Sequence, residues 1–288
     1  MDRKDVYQSV TDSILEKLEQ GEIPPWRRTW AATETPKNLL SKKAYRGINV
    51  FLLLLQGYSS PHWLTFKQAK AQKGHVRKGQ KGTKIIFWKM LQKERDGGKV
   101  DTFPMLRTYT VFNVEQCEGI EIPTVEGECG NSEDPIPACE AIVAGYPLPS
   151  PKREHGKPSY SPHFDQVYMP PMEKFEGAIE FYATLFHELA HSTGHVDRLD
   201  RDLMRVPVFG SEDYSKEELV AEFTASFLCA KAGISPRVLD NQAAYIANWK
   251  KVLKADPKMV VSAAQRAQKA ADYLLGASEP EPEKDEAE

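Results

Sequence analysis

Apolar residues first recur at helical spacing. Val6, Val10, Ile14 and Leu18 share one face of residues 4–20, and Gly21 is the stop signal. Pro24-Pro25 then forces extended chain. The run Val50-Phe51-Leu52-Leu53-Leu54-Leu55 predicts a buried helix from Ile48, closed by Gly57. It is the longest apolar run and falls far short of the roughly 20 residues that a bilayer span needs. Thr65 and Gln68 form a capping box, which predicts a short helix reaching Gly74. The pattern then changes. Residues 83–91 and 100–113 are rich in Ile, Phe, Trp, Val and Thr, with the turn signal Asp96-Gly97-Gly98 between them, and predict a β-hairpin. Helical spacing returns in Phe175–His191, with Gly194 just past its end, and in Ser215–Ala232, stopped by Gly233. Two more helices are predicted, over 241–254 and from Asp256-Pro257 to about Gly276. The expected fold class is α+β, an N-terminal α+β unit joined to a mostly helical C-terminal one.

Charge sharpens this division. The 288 residues carry a net charge of −3, yet residues 1–116 hold 21 bases and 11 acids, and residues 117–288 hold 17 bases and 30 acids. An asymmetry of +10 against −13 points to nucleic acid or another acidic partner at one end. Residues 115–140 contain eight acids and no base, and ten of the 20 prolines lie between Pro123 and Pro171. These features predict four segments: a DNA-binding domain over 1–116, an acidic Pro-rich linker over 117–160, a helical domain over 161–277 and a disordered acidic tail over 278–288. Four cysteines without a C-x-x-C pair exclude a zinc ribbon and a disulfide framework. With no secretory apolar stretch near Met1, the expected setting is the reduced cytoplasm, with no membrane partner.

The predicted helix ending at His191 carries His187-Glu188-Leu189-Ala190-His191, an H-E-x-x-H motif. Positions i and i+4 lie on one helix face, so both imidazoles can bind one ion, expected to be Zn²⁺, with Glu188 beside it as the base that activates water. A catalytic zinc takes three protein ligands and keeps an open position. His195 is the nearest candidate for the third, but it lies past the Gly194 stop and reads as a surface histidine. Glu218-Leu219-Val220-Ala221-Glu222 presents two carboxylates on one face of the next helix. This E-x-x-A-E resembles the E-x-x-A-D of gluzincin metallopeptidases. That resemblance implies Glu218 as third ligand and Glu222 as the partner of a ligand histidine, or as the alternative ligand. Tyr214 is a candidate oxyanion donor, with packing as its other reading.

Residues 24–89 hold 14 Lys and Arg, one acid and nine aromatics. Basic side chains track phosphates, and aromatic faces stack on unpaired bases, so the combination favours single-stranded over duplex DNA. The expected contacts are Trp26, Arg27, Arg28, Lys42, Lys43, Tyr45, Arg46, Lys67, Arg77, Lys78, Lys81 and Lys84. Phe51 and Phe66 are expected in the core. Gly74 to Lys81 approaches a phosphate-binding P-loop but has Gln80 where Lys belongs, and reads as a basic turn.

Several blocks carry a family resemblance: Pro25-Trp26, Tyr45-Arg46-Gly47-Ile48-Asn49, Trp63 to Gln68, Val76 to Gly79, Val111 to Gln116, the H-E-x-x-H helix with Thr193-Gly194, Arg198-Leu199, and Glu217 to Glu222. Together they resemble the ArdC antirestriction proteins, whose N-terminal domain also occurs in TraC-type plasmid primases. The resemblance implies a single-stranded-DNA-binding domain followed by a zincin-like metallopeptidase domain. It implies a role in protecting incoming plasmid DNA from host restriction endonucleases during conjugation. Two other readings use the same parts: a DNA-dependent metalloprotease acting on DNA-bound proteins, and a non-catalytic DNA-binding module with a structural metal site.

Overall fold

The computed structural model describes residues 3–19, 35–94, 100–123, 136–146, 150–154, 156–201, 212–234 and 242–277. In chain order these form α1 (Arg3–Glu19), β1 (Lys37–Asn38), α2 (Ile48–Leu54), β2 (His62–Thr65), α3 (Phe66–Ala71), β3 (His75–Val76), β4 (Thr83–Glu94), β5 (Val100–Asn113) and β6 (Cys117–Glu118). The second half contributes α4 (Pro137–Gly145), β7 (Lys152–Arg153), β8 (Ser159–Ser161), β9 (Gln166–Met169), α5 (Ala178–Ser192), α6 (Glu212–Ala232), α7 (Gln242–Ala255) and α8 (Met259–Leu274). The predicted acidic tail and Trp26, Arg27 and Arg28 lie outside the described residues.

The expected hairpin is the long antiparallel pair β4–β5, in register from Thr83 opposite Val111 to Glu94 opposite Val100. It sits in a four-stranded sheet of order β1-β2-β5-β4. On one face Ile85, Val111 and Trp63 pack with Tyr45 and Leu53 into a small core. β4 is the edge strand, and its exposed backbone is partly satisfied by a side chain. Asn49 Nδ2 donates to the Ile86 carbonyl at 2.7 Å, and Asn49 Oδ1 accepts from the Ile86 amide at 2.8 Å. A sheet edge closed this way cannot recruit another strand at that point. Two small sheets, β3-β6 and β7-β9-β8, complete the strands.

The main core does not respect the charge boundary at residue 116. Val6, Val10 and Ile14 of α1 and the buried face of α2 join α4, α5, α6, α7 and α8 in one apolar cluster. Phe51 of α2 is fully buried, stacked on Phe227 of α6 with ring centroids 5.1 Å apart, and 4.4 Å from the Phe223 ring. Polar ties reinforce the junction: Arg46 to Asp272 at 2.5 Å, Gly47 N to Gln268 Oε1 at 2.9 Å, and Thr11 Oγ1 to the Pro257 carbonyl at 2.7 Å. Part of the segment read as linker is also structural. Ile136, Cys139, Ile142 and Tyr146 are buried in the same core, and Glu140 accepts a hydrogen bond from Tyr182 of α5. The apolar spacing of this short helix is hidden by the Pro-rich, acidic composition around it.

Phe66 departs from expectation. It is 48% exposed, because β2 ends at Thr65 and Phe66 opens the next helix. Thr65 caps α3: its Oγ1 accepts from Gln68 N at 3.2 Å while Gln68 Oε1 accepts from Thr65 N at 2.8 Å. Phe66 is thereby the first residue of a solvent-facing helix turn.

Candidate metal centre and basic surface

The metal-type cluster is built where α5 packs on α6. Phe181, Tyr182, Leu185, Phe186 and Leu189 bury one face of α5, which leaves His187 and His191 on a face turned toward α6. Their Nε2 atoms lie 3.1 Å apart. Glu218 of α6 straddles both, with Oε2 3.5 Å from His187 Nε2 and Oε1 3.4 Å from His191 Nε2. Among the described residues, His187, His191 and Glu218 are the set whose donor atoms converge, all within 4.8 Å of one another. Two imidazole nitrogens and one carboxylate oxygen form a donor set that suits a small divalent cation. His195 is outside it, with its ring turned to Asp197 in the loop that follows. Tyr214 lies half-exposed at the start of α6. Glu188 is buried between the two histidines in sequence, about one turn before His191 on the helix.

Each histidine has a carboxylate behind it. Glu217 Oε1 lies 3.4 Å from His191 Nδ1, and Glu222 Oε1 lies 3.8 Å from His187 Nδ1. With a cation bound, the proton of each ring would stay on Nδ1 toward its carboxylate and the Nε2 lone pair would face the cluster. Glu217 is itself locked by Arg201, whose Nη2 and Nε donate to its two oxygens at 2.6 and 3.0 Å. The same guanidinium donates to the Ala190 carbonyl and Thr193 Oγ1, at 2.8 and 2.7 Å. It thus satisfies the end of α5, where carbonyls lack helical partners. Arg198 anchors the same end through the Ser192 carbonyl at 2.6 Å and ion-pairs with Asp165. Glu217 and Arg201 were not singled out from sequence as site residues.

The electrostatics fit a place for positive charge. Burial alone disfavours a charged His191, but the Glu217 and Glu218 carboxylates outweigh it and push the imidazole up to about 10. His187 moves the same way, with burial opposed by Glu218 and Glu222. Burial would raise Glu218, yet hydrogen bonds from both imidazoles hold it well below the usual carboxylate range. Glu217 is lowered likewise by His191 and Arg201. A cleft of about 480 Å³ runs beside α5, lined by Lys157, Pro170, Lys174, Phe175, Glu180 and Thr184. Thr184, on its wall, is one helical turn before His187 and Glu188.

Residues 4–112 match the N-terminal domain of anti-restriction factor ArdC, and residues 140–266 match a zincin-like metallopeptidase family. The crystal structure of the antirestriction ArdC protein from plasmid R388, in its metal-free form, superposes with a TM-score of 0.78 at 38% identity, covering 94% of this chain and 97% of that one. The chain belongs to the ArdC family of antirestriction proteins. The Mn(II)-bound structure of the same R388 ArdC gives a TM-score of 0.77 at 37% identity, covering 96% and 98% of the two chains. A Sinorhizobium fredii protein, y4eC, is 33% identical, covering 94% of this chain and 91% of its own. An Escherichia coli DNA primase TraC is 34% identical over 95% of this chain, but the match spans only 27% of the primase. The two-domain ArdC architecture, with a zincin-like C-terminal domain, therefore accounts for the α+β fold.

Within this ArdC fold the expected DNA contacts separate into groups. Lys42, Lys43, Lys67, Arg77, Lys78, Lys81 and Lys84 are exposed. Lys42 and Lys43 follow a turn held by Asn38, whose Nδ2 donates to Gln68 Oε1 of α3 at 3.1 Å. The basic turn 77–82 is pinned by Gln116, whose Nε2 donates to the Lys81 carbonyl at 2.9 Å and whose own carbonyl accepts from Arg77 N at 2.9 Å. Gly79 gives this turn its positive φ of 86°. Tyr45 and Arg46 stand apart. Tyr45 is 7% exposed in the small core, and Arg46 is spent on Asp272 of α8. Trp63 is 2% exposed. Part of the aromatic richness of this segment therefore serves packing. No helix among the described residues is long and apolar enough to cross a membrane.

Proposed function

We propose that this chain is a single-stranded-DNA-binding antirestriction protein that shields incoming plasmid DNA from host restriction endonucleases during conjugation. The observation that carries this reading is the distribution of charge on an ArdC fold. Residues 35–89 contain 12 bases and no acid, and the exposed lysines gather on one sheet domain. The two sequence domains remain functional units in this proposal, although their cores are shared. The test is transfer of a plasmid into a restricting host, with and without the chain in the donor. Higher recovery of transferred plasmid is expected with it, and equal recovery from the restricting host with and without the chain would overturn the role.

In this proposal His187, His191 and Glu218 hold one divalent ion, Zn²⁺ as the expected species and Mn²⁺ as the one bound by the R388 relative. Such an ion supplies Lewis acidity and, for zinc, brings the pKa of water down to about 7. Glu217, locked by Arg201, and Glu222 orient the two imidazoles. Glu188, on the same helix, would serve as the general base for a water if that centre hydrolyses a peptide bond, passing the proton to the leaving nitrogen.

That constellation also supports a second reading, a metalloprotease acting on proteins bound to DNA. The specific observation in its favour is a cleft beside α5 whose wall includes Thr184, one helical turn before Glu188. Glu188→Gln is expected to abolish cleavage of a DNA-bound protein while leaving DNA binding intact. Identical cleavage by wild type and variant would exclude it.

A further inference from the structure

Phe66 and Phe112 form an aromatic step beside the main sheet, with Phe112 on the strand face opposite Val111. Their ring centroids lie 6.4 Å apart. Phe66 is 48% exposed and Phe112 is half-buried. Lys70, one turn along α3, places its ammonium 5.2 Å from the Phe66 ring centroid. On the other side, Lys84 is in register with Thr110, which shares its strand face with Phe112. Gly82 closes over this face so tightly that a Cβ there would lie 2.4 Å from the Thr110 methyl and 2.9 Å from the Phe112 ring. Backbone, aromatic rings and ammonium groups therefore meet in one shallow strip. The basic turn 77–82 borders it, and the Asn38–Gln68 bond ties the Lys42–Lys43 turn to the same helix.

Singly exposed apolar side chains are ordinary, but Phe66 stands beside a second ring and an ammonium group. The strip's chemistry selects the ligand. Ammonium groups at its rim suit phosphates, and π-faces suit nucleobases. Duplex DNA keeps its base faces stacked and offers these rings nothing. We propose that the Phe66–Phe112 step is a stacking platform for unpaired bases, with Lys70 and Lys84 on the flanking phosphates. This deepens the single-stranded-DNA reading and rests on it.

The test uses the full chain and two fluorescent oligomers of equal length, one of deoxythymidine and one abasic, so that phosphate charge is the same and only the bases differ. Loss of the stacking ring in Phe66→Ala is expected to weaken deoxythymidine binding about tenfold. Binding of the abasic strand, and its dependence on salt, stays as in wild type. Phe66→Trp keeps the affinity, and its added fluorescence is quenched by deoxythymidine and not by the abasic strand. Because Phe66 is an exposed ring, its truncation opens no core cavity; matched thermal melts of the variants check this. Unchanged deoxythymidine affinity in Phe66→Ala overturns the platform alone. Equal losses on both strands overturn it too, since the ring would then act through charge or packing. Wild type that binds neither strand overturns the underlying DNA reading together with the platform.

Discussion

Glu217 braces the candidate metal cluster without belonging to it. Its carboxylate faces His191 Nδ1 and is held by two bonds from buried Arg201. Glu217→Gln keeps an acceptor and removes the charge, and is expected to lower divalent-metal affinity about 10- to 100-fold, read by competition with a chelating indicator. Arg201→Ala strands a buried carboxylate and is expected to cost about 3–5 kcal/mol in chemical denaturation. This arrangement was legible only in part. His187 and His191 are fixed by their spacing on one helix. Glu217, Glu218 and Glu222 lie within about 140° of one another around α6, and which of them meets which imidazole depends on where α5 crosses, which spacing does not encode. The nearby Asp165 offers a test by pH. Hydrogen bonds from Arg198, then from Tyr160, lower its pKa from 3.8 to about 2. A carboxylate lowered on folding adds stability that is complete above its unfolded pKa and is lost as pH falls through the folded one. The melting temperature of Asp165→Asn should lie below wild type above pH 4, with the gap closing toward pH 2.

Single elements explain why some positions were readable and others were not. Long helices such as α5 and α6 announce themselves by apolar spacing, and the β4–β5 hairpin by its strand-type residues around Asp-Gly-Gly. Strands of two residues, such as β1 and β3, carry no periodicity at all; they exist because tertiary structure brings their neighbours alongside. Phe66 shows the cost of reading through a boundary. Its hydrophobicity argues for burial, but the Thr65 cap turns the chain and redirects it to solvent. α2 was legible as buried, though its partner was not. Phe51 lies against Phe223 and Phe227 of α6, the helix that also carries Glu218. Phe51→Ala is expected to cost about 3–5 kcal/mol through the cavity it leaves, seen as an equal loss in circular dichroism of the whole chain and in metal retention.

At the scale of the molecule, opposite charge and shared packing coexist. The basic half contributes α1 and α2 to the same core as α5 and α6, and Arg46, a residue that composition assigns to DNA, ties the halves together at Asp272. The full chain is therefore expected to melt in one cooperative transition, and two well-separated calorimetric peaks would show independent cores. Charge segregation survives this union because it lives on the surface. The exposed bases on the sheet domain belong to one continuous acid-free stretch, residues 35–89. The most direct test is the salt dependence of binding to single-stranded and duplex oligomers of matched sequence. If Lys42, Lys43, Lys67, Lys70, Arg77, Lys78, Lys81 and Lys84 each meet a phosphate, the logarithm of the single-strand binding constant should fall against the logarithm of salt with a slope of about −5.6, with weaker binding to the duplex. A slope near zero, or equal affinity for the two forms, would contradict the account.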